Sequence, residues 1–203
     1  MIKKVLGCLI LSIYLFSASS LALPYFVEED LLIEQQKLQE LYQQQPSSNE
    51  TIFELAMSYA YTGQVDLGMD LFKILSPNYS EVVVENYTTQ IETNSENWKN
   101  HFKLAFGLYF SNQEDKESNA IKQFEIVLNL NPNNVWPYGF IALIHNQDNN
   151  PKEALIYCKK ALDIEPNATA IYALQADAYR KQKKYVKAIR SFLKFKKLYG
   201  KHK

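Results

Sequence analysis

Cysteine, histidine, glycine and proline are all scarce in this chain, and each scarcity removes a class of answer. Two cysteines occur among 203 residues, Cys8 and Cys158. Only Cys158 survives the N-terminal processing argued below, so no intramolecular disulfide and no redox pair can form. Cys158 reads as a small buried apolar residue. The three histidines, His101, His145 and His202, have no His or Cys neighbour at ligand spacing, which argues against a metal site. Six glycines and seven prolines are too few for a collagen-like or low-complexity chain. No Gly-rich phosphate loop, Ser-centred elbow or paired-carboxylate motif occurs. The sequence therefore points to no catalytic residue, no cofactor and no enzyme.

Hydrophobic residues make up 47% of the chain and charged residues 22%, enough for a packed core. Leu, Ala, Gln, Glu and Lys dominate, which favours helices over sheets. The first 22 residues stand apart. Lys3 and Lys4 precede an apolar run from Val5 to Phe16, and Ser20-Leu21-Ala22 places small residues at −3 and −1 of a cut after Ala22. These are the marks of a secretory signal peptide, with an exported, periplasmic, cell-envelope or secreted product. An uncleaved anchor is the alternative. Cys8 sits too early in the apolar run to be a lipidation site.

Beyond the leader, one period organises the chain. Ala120, Ala154 and Ala188 are evenly spaced, and Phe124, Cys158 and Phe192 repeat the same interval, as do Pro132 and Pro166. The prolines close matching phrases, Asn129-Leu-Asn-Pro132 and Asp163-Ile-Glu-Pro166. A period of about 34 residues belongs to a helical repeat, in which one hairpin cannot bury its own face and stacking supplies the core. Small residues (Ala142, Ala154, Ala161, Ala176, Ala188) let helices approach, and aromatics fill the space between pairs.

The pattern of marks resembles the tetratricopeptide repeat. Residues 135–168 carry Tyr138, Ile141, Ala142, Ala154, Cys158, Ala161 and Pro166, with His145 where the family usually has Tyr. Residues 169–202 carry Tyr172, Ala176, Tyr179, Tyr185, Ala188 and Phe192, with Gln175 in place of Leu. Residues 100–134 carry Phe106-Gly107-x-x-Phe110, Ala120, Phe124 and Pro132, and residues 49–82 carry Leu55-Ala56-x-x-Tyr59, Gly63 and Gly68-x-x-x-Phe72. The resemblance implies an all-α fold, a right-handed superhelical α-solenoid of antiparallel helix pairs. Its expected organisation is a signal peptide at 1–22, a capping helix within 23–48 and a first unit at 49–82. An extra helix or eroded repeat half at 83–99 precedes three units at 100–134, 135–168 and 169–203, the last with a basic cap. The extra segment explains why Gly68 and Ala120 stand one and a half periods apart instead of one.

In the family, inner helices line a groove that receives a protein segment. Its groove places fall here on Phe53, Met57, Tyr61, Leu104, Leu108, Trp136, Leu143, Gln147, Asp177, Arg180 and Lys181. The alternative is that several of these pack beneath the extra helix. Family members that clamp a C-terminal carboxylate use Lys and Asn where this chain has Gly139, Leu143, Ala173 and Asp177, so that subtype is disfavoured. The reading implied is an exported, non-enzymatic scaffold whose partner is a protein or peptide.

Charge is balanced overall, with 22 Lys+Arg against 22 Asp+Glu, but not along the chain. Residues 23–100 hold 13 acids and 3 bases, residues 101–203 hold 9 acids and 17 bases, and Arg180–Lys203 holds 11 bases and no acid. On the last helix Tyr185, Ala188, Phe192, Phe195 and Leu198 are expected inward, with the bases outward. That face reads as a solubilising cap or as a docking surface for anionic lipid or another copy of the chain. Nucleic acid is not an expected partner of an exported protein. Asn49, Asn78, Asn86 and Asn167 each begin an Asn-x-Ser/Thr sequon, a coincidence in an Asn-rich bacterial chain and a glycan site in a eukaryotic host.

Overall fold

The computed structural model describes residue 23 and residues 25–199. The expected signal peptide and its cut after Ala22 lie outside the described residues, as do Gly200 to Lys203. Ten helices and no strand occur among the described residues: α1 Glu29–Gln44, α2 Asn49–Tyr61, α3 Val65–Phe72, α4 Tyr79–Thr93, α5 Trp98–Phe110, α6 Lys116–Leu130, α7 Trp136–Gln147, α8 Pro151–Ile164, α9 Thr169–Lys181 and α10 Tyr185–Tyr199. Each packs chiefly on its neighbours in sequence, the pairs α2/α3, α5/α6, α7/α8 and α9/α10 being antiparallel hairpins, and the all-α solenoid expected from the repeats is the fold observed.

The repeat is written into the backbone as well as the side chains. Asp115, Asn149 and Lys183 hold the same place in successive repeats and all turn through the left-handed region, at φ of 56°, 56° and 59°. Gly63, at φ 79°, does the same one insertion earlier. At three of these turns an amide reaches back five residues, Gln64 to the Tyr59 carbonyl (2.8 Å), Asn150 to His145 (2.8 Å) and Lys184 to Tyr179 (2.9 Å). This closure satisfies carbonyls that the helix end would otherwise orphan. Helix starts are set by side chains: the Ser48 hydroxyl accepts from the Thr51 amide (3.3 Å), and the Asn97 carbonyl from the Lys99 amide (3.1 Å). Pro137 and Pro151 occupy the first turns of α7 and α8, where no amide proton is needed.

Two kinds of core follow from two kinds of sequence. In the first half, aromatic rings do the packing: Phe102 meets Phe124 at 5.4 Å, Phe106 meets Phe140 at 4.7 Å, and Phe72 stacks on Phe106 at 5.4 Å. Such pairs contribute about 0.5–1.5 kcal/mol each beyond burial. In the second half, Ala142, Ala154, Cys158, Ala161 and Ala178 are fully buried and let helix backbones approach. The segment that interrupts the period is α4. It packs on α5 at Gly107, where a Cβ would lie 2.7 Å from a Val83 methyl.

Buried polar groups join α1, α2, α4 and α5. Lys103 of α5 pairs with Glu54 of α2 at 2.5 Å, and the Tyr87 hydroxyl of α4 donates to the same carboxylate. Lys99 of α5 pairs with Glu34 of α1, which also accepts from the Tyr61 hydroxyl at 3.0 Å.

The last helix corrects one expectation. Its inward side is Ala188, Ser191, Phe195 and Leu198, whereas Tyr185 and Phe192 are exposed. Ser191 turns inward because its hydroxyl donates to Gln175 of α9 at 2.6 Å, and no later helix among the described residues covers Phe192. The outward face is accordingly apolar over much of its width rather than uniformly basic. At its far end the Tyr199 hydroxyl donates to Asp66 of α3 at 3.2 Å, so the last helix reaches back to the first hairpin.

Candidate peptide-binding groove

The eleven expected groove residues do not share one fate. Phe53, Met57, Leu104 and Leu108 are buried in the aromatic core, and Phe53 also borders a pocket with Phe72, Tyr79, Val83 and Phe106. The reason is α4: the rings of Tyr79 and Tyr87 lie 6.0 and 6.2 Å from Phe53, which is the alternative of packing beneath the extra helix. Tyr61 is buried between Trp98 and Phe102, at 5.4 and 5.6 Å. Burial first, and then the Glu34 charge, holds its hydroxyl well above the usual tyrosine range. Trp136 is 5% exposed; its expected open, groove-facing position is corrected by what lies on it.

What covers Trp136 is the chain's own N-terminal stretch. Residues 25–28 precede α1 in no helix or strand, and the Tyr25 ring meets the indole edge-on at 4.9 Å. Burial, and then the Glu165 charge, raises the Tyr25 hydroxyl above its ordinary value. Beneath this stretch is a cavity of about 260 Å³ bordered by Tyr25, Leu31, Tyr61, Asn133, Asn134 and Trp136. Asn134 sets its floor. Its side-chain carbonyl accepts from the Trp136 amide at 3.1 Å, and its amide donates to the Tyr61 carbonyl at 3.4 Å. Neither Tyr25 nor Asn134 stood among the sequence-derived candidates. No repeat mark names them, since Tyr25 precedes the first unit and Asn134 lies in a turn.

The remaining candidates sit apart, on α7 and α9. Leu143 is half-buried and Gln147 is exposed, accepting from the Tyr109 hydroxyl. Asp177 is bridged by Arg180 at 2.5 Å and lies 3.8 Å from Lys181. Asn146, which the sequence did not single out, donates to the Leu174 carbonyl at 3.2 Å and to Asp177 at 3.3 Å, tying α7 to α9. Lys181 in turn donates to the Asn146 carbonyl. The structure thus brings Tyr61 and Trp136 together at one cavity and gathers Asp177, Arg180 and Lys181 into a separate polar cluster. Among the described residues no group of His, Cys, Asp and Glu could hold a metal ion.

A family profile described as tetratricopeptide repeat matches residues 137–168, spanning α7 and α8. Residues 137–168 are thus a tetratricopeptide repeat. No curated protein matches its sequence. Among solved structures, a crystal structure of MamA superposes with a TM-score of 0.52 at 16% identity, covering 85% of this chain and 84% of that one. MamA from Desulfovibrio magneticus RS-1 gives 0.53 at 13% identity over 82% and 84% of the two chains. A thermophilic tetratricopeptide-repeat protein of Thermus thermophilus gives 0.53 at 14% identity over 81% and 80%. At these identities the likeness is one of fold. The tetratricopeptide fold is that of a protein-interaction scaffold.

Proposed function

We propose that this repeat protein is an exported, non-enzymatic scaffold that captures an extended, aromatic-bearing protein segment at the Trp136 cavity, in assembly at the cell envelope. One observation carries the reading: the stretch Tyr25-Phe26-Val27-Glu28 already rests over that cavity, with its first ring on Trp136. The stretch displays what the site accepts, namely non-helical backbone, one ring against the indole and amide side chains at the border. Desolvated aromatics of this kind are the usual anchors of binding energy. A partner segment competes with Tyr25 for the indole, and the chain's own stretch sets the threshold that a partner must exceed.

The test is a synthetic peptide with the sequence of residues 23–30, titrated into wild type, Tyr25→Ala and Tyr25→Ala/Asn134→Ala while circular dichroism monitors the fold. Tyr25→Ala should bind the peptide at least tenfold more tightly than wild type, and adding Asn134→Ala should remove the gain. Equal affinity in all three proteins would place the partner elsewhere. Export rests on Lys3, Lys4, the Val5–Phe16 run and Ser20-Leu21-Ala22. It calls for a mature chain beginning at Leu23, which intact-mass measurement on the envelope fraction decides; retention of the first 22 residues would mean an anchor.

A further inference from the structure

Helix α10 shows solvent a face that the repeat architecture does not require. Val186 is 74% exposed, and Ile189 and Leu193 are each 59% exposed, with Tyr185 and Phe192 beside them. At 100° per residue these five form a stripe within an arc of about 120°, which exposed Lys196 enters at the C-terminal end. We infer that α10 docks the protein on an anionic lipid surface, lying in the headgroup plane with this stripe toward the acyl chains. The inference stands independently of the Trp136 cavity.

A lost fifth repeat accounts for only part of the stripe: the place of Ile189 holds Leu155, half-buried against the core, but the places of Val186 and Leu193 do not fit such a contact. One period earlier, on α8, the places of Val186 and Leu193 hold Lys152 and Lys159. Both lysines are exposed although α9 packs on α8. These are therefore outward places in the repeat, and only in α10 are they apolar. The place of Phe192 holds fully buried Cys158, small enough for a helix to approach closely; a phenylalanine there fits a soft surface better than a rigid helix backbone.

Charge selects the surface. Lys187, Arg190, Lys194 and Lys197 line the flank next to the stripe, and α10 contains no acid. Lys187 and Lys194 lie over the rings of Tyr179 and Tyr172 at 5.7 and 5.8 Å, which holds both bases along the α9 side. A second α10 would bring like charges together. The outer side of α1 is mixed, with Glu29, Gln36, Glu40 and Gln43 exposed and Leu32 and Ile33 40% and 45% exposed beside them, a narrower apolar surface than that of α10. An anionic bilayer meets both requirements, headgroups for the bases and an acyl boundary for the stripe. No described helix is long and apolar enough to cross a membrane, so the contact is in-plane.

The experiment places an environment-sensitive fluorophore on the stripe of the full chain, as Cys8→Ser/Ile189→Cys. Cys158 escapes labelling because burial pushes its thiol up to about 12. Vesicles of mixed phosphatidylglycerol and phosphatidylcholine should shift the emission to the blue, and phosphatidylcholine alone should not. Adding Arg190→Glu/Lys197→Glu should weaken the response at least tenfold, as should 1 M salt, where screening shortens to about 3 Å. Three results would overturn the inference: no shift on anionic vesicles, an equal shift on neutral ones, or a shift produced by protein concentration alone, which would assign the stripe to a second copy.

Discussion

The indole of Trp136 lies where a side chain on Gly63 would have to be: a Cβ at Gly63 would sit 1.8 Å from a ring carbon. Gly63 also ends α2 in the left-handed region, at φ 79°. One glycine thus serves both the turn of the first hairpin and the seat of a tryptophan two units further along the chain. The contact joins α2 to α7 across the intervening helices.

Gly63→Ala should therefore destabilise the fold by about 2 kcal/mol or more, from overpacking together with an unfavourable backbone angle. Urea unfolding measures it. The turn contribution alone is calibrated by Lys183→Gly, which relieves a left-handed lysine and should stabilise by about 1 kcal/mol. Combining Gly63→Ala with Trp136→Ala should cost less than the two changes added, because the clash needs both partners.

Ala154 sits where α8 meets its neighbours and is fully buried, whereas Lys152 on the same helix is exposed. Ala154→Trp should cost about 1–3 kcal/mol by overpacking, and Lys152→Trp should leave the melting temperature nearly unchanged. Equal melting temperatures for the two variants would contradict the repeat register.

Glu54 and Lys103 form a largely buried pair that also receives the Tyr87 hydroxyl. Glu54→Leu leaves the Lys103 ammonium buried without its partner and should cost about 3–5 kcal/mol. Glu54→Leu/Lys103→Met should recover most of that loss, since removing both charges also removes the penalty for burying them. Chemical denaturation of the two variants checks this, and an unrecovered double variant would show that the pair itself contributes net stability.

Alkaline pH should unfold this protein early. Tyr25, Tyr61 and Tyr87 are raised by burial first and by neighbouring carboxylates second, from an ordinary value of 10.0. Burial likewise lifts Cys158 from 9.0 to about 12. In each case the unfolded chain releases its proton first, so the stability is fully present below about pH 9 and falls as pH rises beyond it. Denaturation midpoints measured from pH 8 to 11.5 should decline, and Tyr87→Phe should flatten the decline. Iodoacetamide should leave Cys158 unmodified in the native protein and alkylate it rapidly in urea.

The sequence by itself determined the helical class, the period and the places where helices touch. Each is recorded locally or one repeat away: Ala120, Ala154 and Ala188 recur once in every period, and a small residue is needed wherever two backbones close up. It located the interruption between Gly68 and Ala120, and the resemblance to the tetratricopeptide repeat followed from marks spaced by one period. Which surfaces remain open was decided only in three dimensions. Tyr25 reaches Trp136, Asn134 reaches Tyr61, and Tyr199 reaches Asp66 across separations set by the curvature of the whole stack. That curvature accumulates from a small rotation at every repeat, so a pattern repeated unchanged along the chain does not specify it. The same holds for α10, where Tyr185 and Phe192 read as inward residues in the sequence and stand exposed in the structure. Ser191 and Gln175 fix the rotation of that helix, and the stripe is left in solvent.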